Sequence, residues 1–341
     1  SMPSSNWLKA ARAVLFPALC LGITLALNYA LIPPGSVRIN LHNLKDGQDY
    51  DTVFIGTSHG QYGIDPGAMD RDGISSVSLC MADAYPDDMY YLLRLAAETQ
   101  NPSQVVYELD PSYWMNEQRS GSTEIFFYQD FPPSAAKFLY FMDKIAGLDF
   151  RSTLAPWSYY RNLYAQIPSN IQKKLSPAYR SYDPTILDVP AGHYGGRGFI
   201  YRNRVEGEDK GTFNNIPWDE SRVKEKALRY FDRIAAFCKD RDIELIVITT
   251  PVPLDTLSQF EESYQASHEY FTGLMERYGL KYYNFNYMNP QLMDRTMEGY
   301  WDYDGHMDGI KAREYSTILG RFLADIKNKE MDPEKYFSYT P

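Results

Sequence analysis

The sequence predicts an α/β protein built on a doubly wound parallel sheet. Three observations lead there. Val53-Phe54-Ile55 and Gln104-Val105-Val106-Tyr107-Glu108-Leu109 are short apolar runs with β-branched character, each ending at a turn. Between them lie another short run, Ser75 to Leu79, and a stretch over Asp87 to Thr99 in which Met89, Leu92, Leu93 and Ala96 recur at helical spacing. Further on, a helical pattern from Glu220 to Asp240 feeds Ile243-Glu244-Leu245-Ile246-Val247-Ile248-Thr249-Thr250-Pro251, the clearest buried strand of the chain. Strands separated by helices pair in parallel, because the parallel connection has to cross the sheet and a helix fills that crossing.

Taken in order, the first element runs from Ala13 to Ile32 and supplies about the 20 apolar residues that a bilayer-spanning helix needs. Lys9 and Arg12 precede it and Trp7 lies near its start, so the positive-inside tendency puts the N-terminus in the cytoplasm. The expectation is a single-pass cell-membrane anchor over residues 1–34, with an extracytoplasmic domain over 35–330. A cleaved signal peptide has a shorter apolar region and a small-residue site, which Asn28-Tyr29-Ala30 matches poorly. A buried soluble helix is the remaining alternative. Pro33-Pro34-Gly35 breaks the helix, and the segment to Asp51 reads as a stalk or entry strand.

From about 111 to 218 the strand and helix alternation stops. Helical stretches at Ala135 to Ala146 and Trp157 to Ala165 sit beside a loop-rich run from Ser176 to Asn215, which reads as an insertion or cap over the functional edge of the sheet. Inside it, Gly192-His193-Tyr194-Gly195-Gly196-Arg197-Gly198-Phe199 reads either as a surface turn or as a loop in which Arg197 meets an anionic or sugar group. The sheet resumes after it. A helix over Ser263 to Tyr278, a strand over Lys281 to Phe285 and a last helix over Ile310 to Lys327 follow, with residues 331–341 as a tail.

Charge and composition narrow the function. A net charge of -10 without clustered Lys and Arg excludes a general nucleic-acid binder, since neutralising phosphates needs such a cluster. Cys20, Cys80 and Cys238 are too scattered for a disulfide framework or a zinc site, and Cys80 and Cys238 read as core packing. Tyrosine alone contributes 29 residues, which suits stacking on sugar rings as well as half-buried packing.

The chemistry concentrates at two places. Val53-Phe54-Ile55-Gly56-Thr57-Ser58 carries Ser58 just past the end of a strand, where side chains converge on a crevice in open α/β sheets; Thr57 and Ser58 also suit a helix cap. Far along the chain, Trp301-Asp302-Tyr303-Asp304-Gly305-His306-Met307-Asp308-Gly309 brings an imidazole and carboxylates into one loop. A serine attacks an ester carbonyl when a base takes its proton and an acid orients that base. His306 is the candidate base. The same loop has the composition of a metal site, although His306 is its one imidazole.

Gly56-Thr57-Ser58 and Asp304-Gly305-His306 in this order resemble the SGNH (GDSL-like) hydrolase superfamily. The likeness is strongest to its membrane-anchored branch of surface-polymer O-acylation proteins, the DltD-like and alginate-acetylation (AlgX/AlgJ-like) proteins. The resemblance implies a flavodoxin-like fold, a Ser-His-Asp triad and no cofactor or metal. It also implies an O-acyltransferase working on a cell-surface polysaccharide or teichoic-acid-like polymer, with a membrane-bound O-acyltransferase as partner. Ser58 would be the nucleophile and His306 the base. Asp304 would be the orienting acid on the Asp-x-His spacing, with Asp302 as the alternative; the commoner Asp-x-x-His spacing falls on Tyr303. The chain departs from the family at its oxyanion blocks. Ser78-Leu79-Cys80-Met81 replaces a glycine block and Asp110-Pro111-Ser112 replaces Gly-x-Asn, so the expected donors are the Ser58 N–H and the Cys80 region, with Asp110 as a turn-former. His59 follows the nucleophile too closely to fold back as its base. An esterase or deacetylase of the same polymer, a non-catalytic scaffold or polysaccharide-binding subunit, and a metal-dependent hydrolase using the acidic loop are the competing readings.

Overall fold

A computed structural model describes residues 4–45, 48–117, 121–204, 210–213 and 217–338. Two compact units divide the chain: Ser1–Arg38 with Arg119–Ile186, and Ile39–Gln118 with Leu187–Pro341.

The first unit is helical. Helix α1, Ser4–Leu31, contains a segment, Trp7–Leu31, that is long and apolar enough to cross a membrane, and its side chains are exposed along most of that length. Its last carbonyls, which a helix leaves without intrahelical partners, are met by side chains of the helix Ile167–Leu175. Asn170 Nδ2 donates to the Ala30 and Leu31 carbonyls, and Lys174 Nζ donates to those of Tyr29 and Ile32. Most of the expected insertion therefore belongs with α1, and residues 187–218 belong with the sheet. Residues 36–43, expected as stalk or strand, are helical.

The second unit holds a five-stranded, wholly parallel sheet: β1 (Thr52–Ile55), β2 (Ser76–Ser78), β3 (Gln104–Glu108), β6 (Glu244–Thr249) and β7 (Tyr282–Asn284). Its order is β2-β1-β3-β6-β7. The chain thus steps outward from β1 on one side to β2 and on the other to β3, so the order reverses at the β1/β3 junction. Crevices at the carboxyl ends of strands open at such a switch point. Helices α2 (Ser58–Gly63), α3 (Pro86–Ala96), α4 (Glu225–Lys239), α5 (Glu261–Tyr278) and α6 (Gly309–Lys327) surround the sheet.

Side chains alternate across a strand, and the sheet is apolar on both faces. Phe54, Val106, Ile246 and Ile248 pack with Ile318, Leu319, Phe322 and Leu323 of α6. Tyr107, pointing the other way, packs on Trp114 and on Phe231 of α4, and Trp114 meets Phe271 of α5. Strands covered on both faces read as continuous apolar runs, which is why the strands were visible in the sequence.

The segment expected to be a tail is partly core. Tyr336 and Phe337 are buried against Phe322, Phe285 and Tyr283, because two adjacent aromatic rings after the polar stretch have an apolar edge of the sheet to cover. Residues 339–341 of that tail lie outside the described residues, as do 205–209 and 214–216 of the loop-rich run.

The stretch around Arg197 is a β-hairpin, β4 (Gly192–Gly196) and β5 (Phe199–Arg202). Gly198 has φ 91°, and a Cβ there would lie 1.8 Å from the Ser78 carbonyl oxygen, so the turn needs glycine to dock on β2. The Arg197 carbonyl accepts from the Ser78 N–H at 2.8 Å.

Candidate active site

The turn after β1 is held by a carboxylate from the neighbouring strand. Glu108, at the end of β3, accepts from the Thr57 N–H at 2.7 Å and from the Thr57 hydroxyl at 2.9 Å through the same oxygen. Thr57 in turn caps α2 by accepting from the His59 N–H. Burial pushes the Glu108 carboxyl upward, against the pull of nearby His59 and the two Thr57 hydrogen bonds. Close packing completes the turn: a Cβ on Gly60 would lie 2.5 Å from the Cys80 sulfur. Ser58 is thereby fixed as the first residue of α2, where its N–H has no intrahelical acceptor.

The loop between β7 and α6 delivers the imidazole. An antiparallel bridge between Tyr300 and Met307 closes its base, and Gly305 turns the chain at φ 107°. Asp302 Oδ1 accepts from the N–H groups of Gly305 and His306, both at 3.1 Å. Its other oxygen lies 2.7 Å from His306 Nδ1, and His306 Nε2 lies 2.8 Å from Ser58 Oγ. Despite burial, the His306 hydrogen bond and charge hold Asp302 down at about 2. An ionised Asp302 fixes the proton on Nδ1 and leaves the Nε2 lone pair to accept from Ser58. Burial, with the positive charge of His59, lowers His306 below its ordinary 6.5, so the imidazole is neutral at neutral pH.

The sequence expectation for the acid is corrected here. Asp304 is not the carboxylate at Nδ1. The turn at Gly305 folds the loop so that the residue four positions back returns to the imidazole, and its two backbone hydrogen bonds keep Asp302 there. Asp304 instead lines the cavity beside Ser58, where burial and the Asp302 charge raise its carboxyl above the usual range.

Two further expectations are overturned. Cys80 is fully buried beneath α2, its N–H is directed at the Ser78 hydroxyl at 3.3 Å, and it does not border the cavity, so the glycine-poor block supplies no oxyanion donor there. Arg197 is bound to Asp70 in a two-pronged ion pair and also donates to the Ser76 carbonyl. It serves the hairpin's attachment to the sheet, away from Ser58.

Sequence reasoning missed a second imidazole and carboxylate pair. His59 Nδ1 lies 3.0 Å from Asp110, whose other oxygen accepts from the Ser112 N–H and hydroxyl. Asp110 is therefore a turn-former that also faces His59. Although burial opposes it, the hydrogen bond and charge of Asp110 raise His59 to about 9, and Glu108 and Asp302 add to the effect. His59 is an imidazolium at neutral pH, with its ring 4.7 Å from that of His306. The adjacency of His59 to Ser58 was the available signal; reading it needed the β1/β3 pairing that brings Asp110 alongside. On the other side of His306, Tyr62 makes an edge contact, and the Arg202 guanidinium sits 3.6 Å over the Tyr62 ring.

A cavity of about 250 Å³ opens on Ser58, His59 and His306. Leu109, Met115, Trp218 and Phe260 give it apolar walls, and Tyr113, Thr250, Ser263 and Asn286 add polar ones. The Tyr113 phenol interacts with the Ser58 hydroxyl. The Asn286 side-chain nitrogen is buried without a hydrogen-bond partner among the described residues, while its oxygen accepts from the Val252 N–H.

Carboxylate, imidazole and hydroxyl in a relay beside a part-apolar cavity can raise the nucleophilicity of the hydroxyl. No protein-family model matches this chain, and no curated protein matches it.

Proposed function

We propose that this chain is a membrane-anchored serine O-acyltransferase of the SGNH type. Its catalytic domain would be extracytoplasmic, and it would act on a cell-surface polysaccharide or teichoic-acid-like polymer with a membrane-bound O-acyltransferase as partner. The observation that carries the reading is the relay from Asp302 through His306 to Ser58, with contacts of 2.7 and 2.8 Å. The sheet order β2-β1-β3-β6-β7, with the serine after the first strand, supports the family. The apolar α1 supports the anchor. Polymer and partner rest on the family resemblance alone.

In this mechanism Ser58 Oγ attacks the acyl carbonyl of a donor ester while its proton passes to His306 Nε2, and Asp302 stabilises the imidazolium. Collapse of the tetrahedral intermediate breaks the bond to the donor oxygen, which takes the proton from Nε2 and leaves an acyl-Ser58 ester. An acceptor hydroxyl then gives its proton to Nε2 and attacks that ester, releasing the acylated acceptor and restoring Ser58. The fixed positive charge on His59 lowers the energy of the oxyanion, a contribution that needs no reorganisation during reaction. Water in place of the sugar hydroxyl makes the same site an esterase. The aromatic walls Trp218 and Tyr113 offer a sugar ring a stacking surface in either reaction.

The test is turnover of an activated acetyl ester by the purified full-length chain, with a fluorophosphonate as covalent probe. Ser58→Ala is expected to abolish both turnover and labelling. Undiminished turnover in that variant refutes the assignment.

A further inference from the structure

Unit by unit, the surface is unevenly apolar. Phe150 and Leu154, at 74% and 66% exposure, stand four residues apart on the helix Phe150–Leu154 and so share one face. Phe138 and Met142 are a second exposed pair at the same spacing in the same unit. An exposed face of large apolar side chains marks an interaction surface when it is contiguous with something that explains it. Here that something is α1.

The backbone from Leu154 to Trp157 runs along the last two turns of α1. Thr24 Oγ1 donates to the Leu154 carbonyl at 3.4 Å, and the Trp157 N–H donates to Asn28 Oδ1 at 2.9 Å. Thr24 lies seven residues before Leu31, which is about 10 Å along a helix axis. If α1 spans a bilayer, Leu154 is level with chain that is still inside it. Charge agrees: without Lys9 and Arg12 at the opposite end of α1, the unit Ser1–Arg38 with Arg119–Ile186 holds nine Lys and Arg against five Asp and Glu, in a chain whose net charge is -10. An apolar face on a unit with an excess of basic residues suits the boundary between acyl chains and anionic headgroups.

We propose that the helix Phe150–Leu154 is a second membrane contact, with Phe150 and Leu154 seated in the headgroup and acyl boundary of the leaflet at the C-terminal end of α1. The inference rests on α1 being a membrane span. Its consequence is that the helical unit is held at two points, which restricts rotation of α1 about its own axis relative to the bilayer surface.

Site-directed spin labelling of the full chain tests it, on a Cys20→Ser background in vesicles of phosphatidylcholine with a minority of phosphatidylglycerol. Labels at Phe150→Cys and Leu154→Cys are expected to collide with oxygen more than with a polar nickel chelate, at a ratio several-fold above that of Glu276→Cys on α5. Leu19→Cys in α1 is the internal control. Lipid values at Leu19 with solvent values at 150 and 154 overturn the second contact while leaving the anchor in place. Solvent values at Leu19 overturn the anchor and the inference together. Protection of 150 and 154 from both reagents overturns the lipid assignment in favour of a protein partner.

Discussion

Replacing Asp302 with asparagine separates the two aspartates that compete for the acid's role. Asparagine keeps a side-chain oxygen able to accept from the Gly305 and His306 N–H groups, so the loop's geometry is retained while the charge is removed. The imidazolium formed when Ser58 is deprotonated then loses its counter-ion. Two unit charges about 4 Å apart at an effective dielectric of about 20 attract by about 4 kcal/mol, which at roughly 1.4 kcal/mol per decade is about a thousandfold in rate. The amide also offers Nδ1 a donor, favouring the tautomer whose Nε2 carries the proton, and that carries the loss toward about ten-thousandfold. Asp304→Asn touches a cavity wall and is expected to cost less than about tenfold, comparable to a modest change of local charge worth about 1 kcal/mol. The assay is kcat/KM for an activated acetyl ester across pH, with a circular dichroism melt on each variant to confirm folding. Equal losses in Asp302→Asn and Asp304→Asn, or a loss under about tenfold in Asp302→Asn, would refute the assignment of the relay to Asp302.

The pH profile of kcat/KM is expected to rise through a midpoint below 6.5 as His306 loses its proton and to fall near 9 as His59 loses its own. His59→Gln should remove the alkaline fall, shift the acid midpoint upward because a neighbouring positive charge is gone, and cost about ten- to a hundredfold in rate. The same pair sets a stability window. His59 is raised when folded, so its contribution is complete below 6.5 and is lost as pH rises toward about 9, readable as a falling Tm. Glu108→Ala leaves both Thr57 donors without their buried acceptor and should lower stability by about 1 to 3 kcal/mol in a denaturant titration. Glu108→Gln, which keeps an acceptor oxygen, should recover much of that loss, and equal losses in the two variants would deny Glu108 its part in holding the turn.

Much of the fold was legible because its signals are local. Strands buried on both faces must be apolar along their whole length, and a long apolar run must either span a membrane or be covered, so β1, β3, β6 and α1 announce themselves in the order of residues. Ser58 and His306 stood out for the same reason: each sits at a strand end or in a polar loop whose neighbours are distinctive. Tertiary structure alone decided the rest. Which aspartate meets His306 depends on how the chain turns at Gly305, and two positions differing by two residues in a loop carry no periodicity to tell them apart. The pairing of His59 with Asp110, the pinning of Thr57 by Glu108 and the diversion of Arg197 to Asp70 arise between segments that are distant in the chain. The first two exist only because the strand order reverses between β1 and β3 and places those ends side by side, and the third because the hairpin docks on β2.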